Sequence, residues 1–282
     1  MSDARQRLQA WIKAHERPDI QIDYEAARES LPTGASKLGG LPDVPAGFVW
    51  PRFESEGYDG VQRERPLSFM AQLDLKEVSA FDKEGLLPKE GHLAFFYDCD
   101  SQPWGFDPKD RGGARVFYFP SGTPLERAAP PEDLDDDFQI PVLIPSFSSG
   151  TSQPSSEYLS GDAHAEFGSE LLEEFLSDGI DAPDRCKMLG LPDILQGTIE
   201  HDCQLAGAMG VEYESRGKLS PEQEREYENG VADWMLLLQL GTLQNRDYEM
   251  MFGDCGYIYF CIRKQDLTAC NFDNVWLVLQ CC

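Results

Sequence analysis

Residues 37–44 read KLGGLPDV, and residues 187–194 read KMLGLPDI. The two stretches share a lysine, a glycine and a Leu-Pro-Asp triplet in the same order. Each is followed by an apolar run with one glutamine inside it, LSFMAQLDL around Gln72 and WMLLLQLGT around Gln239. Several blocks that recur in one order are typical of an internal repeat.

Two further pairs of blocks continue the repeat. The strand-like runs GHLAFFYD and GYIYFCIR begin at Gly91 and Gly256, and the runs ARVFYF and NVWLVLQ end at Phe119 and Gln280. These runs are short, rich in aromatic and branched residues, and bounded by Gly, Pro and Asp, which is typical of buried β-strands. The sequence therefore predicts two similar β-rich lobes related by a pseudo-twofold axis.

Helices are predicted between the strands, so the expected fold class is α+β, β-rich with an internal duplication. Residues 3–15 and 169–177 place apolar side chains at helical spacing. A third helix is expected to begin at Ser220, because Pro221 and Gln223 complete a capping box with proline in the first turn.

The repeat divides the chain into four segments that together form one compact domain. We expect an N-terminal helical segment over residues 1–36 and a first repeat over residues 37–127. An acidic connecting segment then covers residues 128–184, and the second repeat covers residues 185–282.

The connecting segment has fourteen Asp or Glu residues and no Lys or Arg. Its Pro, Ser and Gly content predicts an extended or mobile connection, in which FQIPVLIP is a candidate edge strand. Two interpretations stay open, because a run of charge is either a solvated linker or a functional acidic surface.

Composition limits the classes of partner. The chain has 282 residues, 41% of them hydrophobic, and a formal charge of −26, so it can bury a large core but repels phosphate backbones and anionic lipids. We expect no nucleic-acid or membrane partner. A basic protein or a cationic ligand would be attracted. The charged amino terminus and the lack of a long apolar run predict a cytoplasmic location.

Neither the cysteines nor the short motifs indicate a known chemistry. The eight cysteines are irregularly spaced, which predicts reduced thiols and no metal site. Gly39 and Gly40 precede Pro42, which fits a tight turn rather than a phosphate-binding loop. No nucleophile elbow, zinc helix or calcium loop is present. We expect no cofactor, and the question of catalysis stays open with the balance against it.

Six residues are candidates for lining a ligand cleft, because polar or large aromatic side chains interrupt apolar strands: Trp50, Gln72, Arg115, Gln239, Asp254 and Trp276. Each also has a structural interpretation. A glutamine on a buried strand usually satisfies backbone groups, Trp50 with Pro51 usually packs a corner of a core, and Asp254 usually builds a turn.

Read together, the ordered motifs resemble the YwqG-like family from about residue 37 to the end. The motifs are LGGLPDVPAGFVWP, LSFMAQLDL, LPKEGHLAFFYD, WGFDPKDRGGARVFYF, LGLPDILQG, MLLLQL, MFGDCGYIYFCI and FDNVWLVLQC. That family is bacterial and has no assigned function. Some of its members appear beside secreted polymorphic toxins, so the resemblance implies an immunity or antitoxin-like role.

The chain departs from the family pattern at two positions. Phe252 stands where a tryptophan is usual, and Gly241 stands where an aspartate often follows the strand. The second change removes a carboxylate and weighs against acid-dependent chemistry. The leading hypothesis is a non-enzymatic module that binds a basic protein such as a toxin. The alternative is an enzyme or small-ligand binder that uses a cleft between the two repeats.

Overall fold

The computed structural model describes residues 3–159, 167–168, 171–172 and 184–282. The strands of this part of the chain are β1 (Arg17–Ala26), β2 (Lys37–Leu38), β3 (Asp43–Val44), β4 (Arg52–Ser55), β5 (Arg63–Pro66), β6 (Ser68–Asp74), β7 (His92–Tyr97), β8 (Ala114–Phe119), β9 (Glu126–Arg127), β10 (Leu143–Ser152), β11 (Cys186–Met188), β12 (Trp234–Leu240), β13 (Leu243–Gln244), β14 (Glu249–Met250), β15 (Tyr257–Arg263) and β16 (Trp276–Gln280). The α-helices are α1 (Asp3–His15), α2 (Leu75–Val78), α3 (Ile199–Asp202), α4 (Pro221–Val231) and α5 (Lys264–Thr268), and a π-helix over Cys203–Ala208 follows α3.

Ten strands form one antiparallel sheet in the order β16-β15-β12-β11-β1-β10-β2-β6-β7-β8. The predicted β-rich α+β class is confirmed. The first predicted helix is α1 over Asp3–His15, and α4 begins with the capping box of Ser220 and Gln223. The helix predicted over residues 169–177 lies largely outside the described residues.

The sheet has a regular arrangement about its centre. We call β2, β6, β7 and β8 the first half of the sheet, and β11, β12, β15 and β16 the second half. Between them, β1 and β10 pair along their whole length, from Arg17 opposite Ser152 to Ala26 opposite Leu143. The central strands are crossed: β10, which follows the first half in the chain, borders β2, whereas β1, which precedes it, borders β11.

The two central strands differ from the expectations for their segments. β1 lies within the segment expected to be helical, and β10 occupies the middle of the sheet, not an edge. Local composition explains the error on β10. The serine- and glycine-rich sequence of β10 is typical of a loop, and only its long pairing with β1 places it in a sheet.

Side chains alternate between the two faces of the sheet. The inner face buries one large apolar core that joins both halves, and within it the rings of Phe95 in β7 and Phe260 in β15 lie 5.2 Å apart. On the outer face, Phe69 and Phe96 of the first half pack under the segment around Phe48 and Trp50. The outer face of the second half packs against α3 and the π-helix.

The sheet curves so far that its two edge strands approach each other. The ring of Tyr118 in β8 lies 5.6 Å from that of Phe272, just before β16. The backbone N–H of Leu279 in β16 donates to the carbonyl of Trp104 at 3.0 Å, which covers part of that edge. Within the described ranges, no helix combines the length and apolar character that crossing a membrane requires.

Candidate functional site

The two repeated glutamines occupy matching places in the sheet. Gln72 of β6 lies opposite Lys37, and Gln239 of β12 lies opposite Lys187. Each strand has a register shift just before its glutamine, between Phe69 and Ala71 in β6 and between Leu236 and Leu238 in β12. A bulge of this kind re-aims the following side chains. Each glutamine oxygen then accepts the backbone N–H of the aspartate in a Leu-Pro-Asp triplet, at 2.7 Å and 2.9 Å.

Lys37, Asp43 and Gln72 form what we call the first cluster, which is closed. Asp43 is fully buried and accepts hydrogen bonds from Lys37 Nζ at 2.6 Å, from Arg127 Nε at 2.9 Å and from the Gly34 N–H at 2.9 Å. Burial alone raises the pKa of Asp43, but the bonds from Arg127 and Lys37 outweigh it and lower the pKa to about 2. The carboxylate is therefore firmly ionised.

Lys187, Asp193 and Gln239 form the second cluster, which is open. Lys187 Nζ lies 2.9 Å and Arg185 Nη1 lies 3.1 Å from Asp193 Oδ1, and Gln239 Nε2 donates to Oδ2 at 2.8 Å. The Lys187 side chain is 1% exposed, whereas that of Arg185 is 41% exposed. Burial raises the pKa of Asp193, but Lys187 and Gln239 outweigh it and the pKa is lowered. Burial lowers the pKa of Lys187, and Asp193 opposes this change.

A pocket of about 430 Å³ opens above the second cluster, on the outer face of β1, β10 and β11. We call it the Asp19 pocket. Its walls include Asp19 and Gln21 from β1, Gly150 from β10, and Arg185. Among its described lining residues there is no aromatic side chain. A surface of this kind suits a hydrophilic ligand.

Asp19 is the unusual group in this pocket. The residue is 2% exposed, and its Oδ2 accepts a hydrogen bond from Gln21 Nε2 at 2.7 Å. Its Oδ1 is buried and has no hydrogen-bond partner among the described residues. A buried carboxylate oxygen without a donor costs free energy, so such a group in a pocket is a candidate to receive a donor from a ligand or from water.

Gly150 leaves the room in front of Asp19. The two residues face each other across the β1–β10 ladder. A methyl group at position 150 would overlap Asp19 Oδ1 and would also contact the side chain of Gln21. The absence of a side chain at Gly150 therefore makes room for this oxygen in the wall of the pocket.

Three of the residues predicted from the sequence lie near the two sheet edges. Trp50 and Arg115 line one groove of about 380 Å³. Arg115 also lines a smaller cavity of about 80 Å³ with Trp276. Both tryptophans have structural roles, because the Trp50 indole donates to the Leu67 carbonyl at 2.8 Å and the Trp276 indole donates to the Gly105 carbonyl at 2.9 Å.

The other three predicted residues lie in different places. Gln72 and Gln239 belong to the first and second clusters, where they bind backbone groups and the neighbouring aspartate. Asp254 is exposed in the turn before β15, and its carbonyl accepts the N–H of Cys282 at 3.1 Å. The six residues thus do not form one site.

The sequence alone did not indicate two charged residues of the Asp19 pocket, Asp19 and Arg185. Lys187 and Asp193 were visible as members of the repeated block, but Asp19 and Arg185 stand in no motif. A signal for Asp19 exists only after β1 is recognised as a strand, because Asp19 then alternates with the core residues Ile20 and Ile22.

Within the described ranges, no group of three or more His, Cys, Asp or Glu side chains is arranged to bind a metal ion. All eight cysteines are free thiols, and five of them are buried. Burial raises the pKa of Cys99 and of Cys186 to about 12, so these thiols are protonated and unreactive at neutral pH.

Comparison with known proteins supplies the family. No curated protein matches the chain. A family model described as a domain of unknown function (DUF1963) matches residues 36–281. This match includes both clusters and both halves of the sheet but begins after α1 and β1, so Asp19 lies outside it. The chain belongs to the DUF1963 family.

Proposed function

We propose that this protein binds a small polar ligand in the Asp19 pocket. The observation that supports the proposal is the buried Asp19 Oδ1, which lacks a donor and belongs to a residue that lines a polar pocket of about 430 Å³. Pockets with a few converging polar groups are the usual form of a small-molecule site. Asp19 would accept a hydrogen bond from the ligand, and Arg185 would donate to it from the opposite side.

The second cluster gives this site a rigid floor. Lys187, Asp193 and Gln239 are tied to one another and to the backbone, so the ligand would meet groups that are already in place. Preorganised groups improve affinity because little side-chain freedom is lost on binding.

The experiment is an NMR titration of the labelled protein with methylamine, acetate, glycine and glycerol at millimolar concentration. We expect at least one compound to shift the amides of β1, β10 and β11, and Gly150→Ala to abolish the effect, because the new methyl group would displace the Asp19 carboxylate. Gly217→Ala is the matched control, because a methyl group there meets nothing within 4 Å. If none of the four compounds shifts these amides, the proposal is wrong.

We also propose that the two halves of the sheet are copies of one ancestral unit, in a protein of the YwqG-like type. The ordered sequence blocks support this, as do the matching bulges before Gln72 and Gln239 and their matching bonds to Asp43 and Asp193. A superposition in which the two glutamines fall on unrelated strand positions would contradict it.

A basic protein partner is a second candidate, favoured by a specific surface. Asp135, Asp136 and Asp137 are exposed side by side, next to the exposed Glu132 and Asp133. Grouped carboxylates attract a cationic surface and speed its encounter. A basic toxin neutralised in the cytoplasm, where the free thiols would stay reduced, fits this surface and the resemblance to the YwqG-like family.

A further inference from the structure

The first cluster shows which residues of the second cluster are needed for the fold alone. Lysine, aspartate and glutamine are common to both clusters. Each glutamine also donates from Nε2 to a backbone carbonyl two residues before the lysine. This residue is Ala35 in the first cluster and Arg185 in the second. Arg185 in the second cluster thus takes the place that Ala35 has in the first.

The position that corresponds to Asp19 is occupied by an apolar residue beside the first cluster. Leu38 of β2 pairs with Leu143, and Met188 of β11 pairs with Ile20. Val142 precedes Leu143, and Asp19 precedes Ile20, so Val142 and Asp19 occupy corresponding positions beside the two clusters. A methyl group added at Gly40 would lie 2.9 Å from Val142 Cβ, and one added at Gly190 would lie 2.7 Å from Asp19 Cβ.

The fold therefore forms the first cluster without a charged group at either of these two places. Asp19 has no charged counterpart in the first cluster, whereas the guanidinium of Arg185 bonds to Asp193 as that of Arg127 bonds to Asp43. Both Asp19 and Arg185 line the same pocket. Since a buried carboxylate is costly, an addition that the fold does not need indicates a binding role.

Arg185 and Asp19 place opposite charges on the walls of the pocket. Lys187 and Arg185 share one carboxylate, Asp193, which leaves an excess of one positive charge beside β11. Asp19 provides one negative charge on β1. Gln21 pairs with Lys187 across the strands, and Asp19 lies two residues further along β1 on the same face. The charges are thus separated along the strand direction.

The charge pattern selects among ligand classes. An anion would be repelled by Asp19 and by the formal charge of −26. A simple cation would pair with Asp19 but would leave the spare donors of Arg185 unused. A sugar would find no aromatic side chain to stack on among the described lining residues. A compact molecule with an ammonium group and a carboxylate matches both charges.

We propose, on the basis of the proposed small-ligand function, that the Asp19 pocket binds a zwitterion whose ammonium group donates to Asp19 and whose carboxylate accepts from Arg185. Free amino acids and short peptides share this chemistry. The ammonium group would supply Asp19 Oδ1 with a donor. The guanidinium of Arg185 keeps donors to spare for a carboxylate, because only one nitrogen contacts Asp193.

Isothermal titration calorimetry tests this inference with glycine, L-alanine, L-glutamine and glycylglycine as zwitterions. Methylamine and acetate are the two charged halves of glycine, and glycerol is the uncharged control. We expect at least one zwitterion to bind roughly tenfold or more tightly than either half, and Asp19→Asn and Arg185→Gln each to weaken it by roughly tenfold to a hundredfold. Stronger binding of glycylglycine than of the amino acids would identify peptides as the source.

The matched control is Gly217→Ala, which should bind as the wild type does, and circular dichroism of each variant checks its fold. The inference fails if methylamine or acetate alone binds as tightly as the zwitterions, or if both Asp19→Asn and Arg185→Gln leave zwitterion binding unchanged. Binding of glycerol but of no zwitterion would reject the zwitterion and leave the small-ligand function intact. If nothing binds and no pocket amide shifts, both proposals fall.

Discussion

At the scale of single residues, Asp43 shows how strongly these clusters tie the structure to pH. Its pKa lies at about 2 in the native protein, against 3.8 for the free side chain. The native state therefore binds this proton less readily than the unfolded state does. The resulting stability is complete above about pH 4 and is lost as the pH falls from about 4 toward 2.

We predict that Asp43→Asn flattens this part of the stability curve. Between pH 4 and pH 2 the wild type should lose about 2 kcal/mol of unfolding free energy through Asp43 alone, and the variant should lack that loss. Urea unfolding at several pH values measures it. Asp254→Asn, at an exposed turn, should keep the wild-type slope. Equal slopes for wild type and Asp43→Asn would contradict the assignment.

The residue scale also shows how far the sequence could predict the site. Lys187 and Asp193 could be identified because they have counterparts in the first repeat. Residues that recur in both halves are those that the fold of each half needs, so they indicate the structural cluster and not the ligand site. Asp19 and Arg185 differ from their counterparts Val142 and Ala35, so a search for repeats passes over them. Their meaning depends on burial, and the burial of Asp19 arises from strand pairing with residues far away in the chain.

At the scale of elements, strands with strong local patterns were predictable and the central pair was not. β7 and β15 are dense in aromatic and branched residues, so their sequences predict strands in any context. β10 has few apolar residues and depends on β1 for its hydrogen bonds. β1 lies outside the match to the family model, and yet it forms the middle of the sheet.

This arrangement predicts opposite results for two truncations. A variant lacking residues 1–15 loses α1 and its contacts through Leu8 and Ile12 with Leu159 and Leu172, but it keeps the complete sheet and should unfold cooperatively. A variant lacking residues 1–35 also loses β1, which joins β10 to β11, and should show no cooperative transition. Thermal unfolding followed by circular dichroism compares them. Cooperative melting of the variant lacking residues 1–35 near the wild-type temperature would contradict the prediction.

At the scale of the whole molecule, the net charge of −26 creates a field that reaches beyond individual contacts. The described part of the acidic connecting segment places Asp135, Asp136 and Asp137 at the surface. Carboxylates that stay hydrated act on a partner through this field, and at physiological salt they do so over a Debye length of about 8 Å. Association with a basic protein should therefore be fast at low salt and slower as salt is added.

We predict that Asp135→Asn, Asp136→Asn and Asp137→Asn together slow such an association several-fold at low salt and reduce its dependence on salt. A basic partner recovered from lysate would be titrated by surface plasmon resonance. The matched control changes Glu222, Glu226 and Glu228 of α4 to glutamine, which removes the same charge from another exposed surface. An association rate indifferent to salt and to both variants would leave the acidic segment as a solubility feature.

The crossed central strands have a consequence for the order in which the chain can fold. β2 borders β10, and β1 borders both β10 and β11, so residues as distant as Ala26 and Leu143 must meet before the middle of the sheet exists. On a ribosome, the first half would leave the exit tunnel with one side of β2 unpaired until Leu143 had also emerged. High contact order of this kind slows folding and leaves strand edges exposed meanwhile. The acidic residues that precede β10 would emerge during this interval, and their negative charge would oppose association of one nascent chain with another.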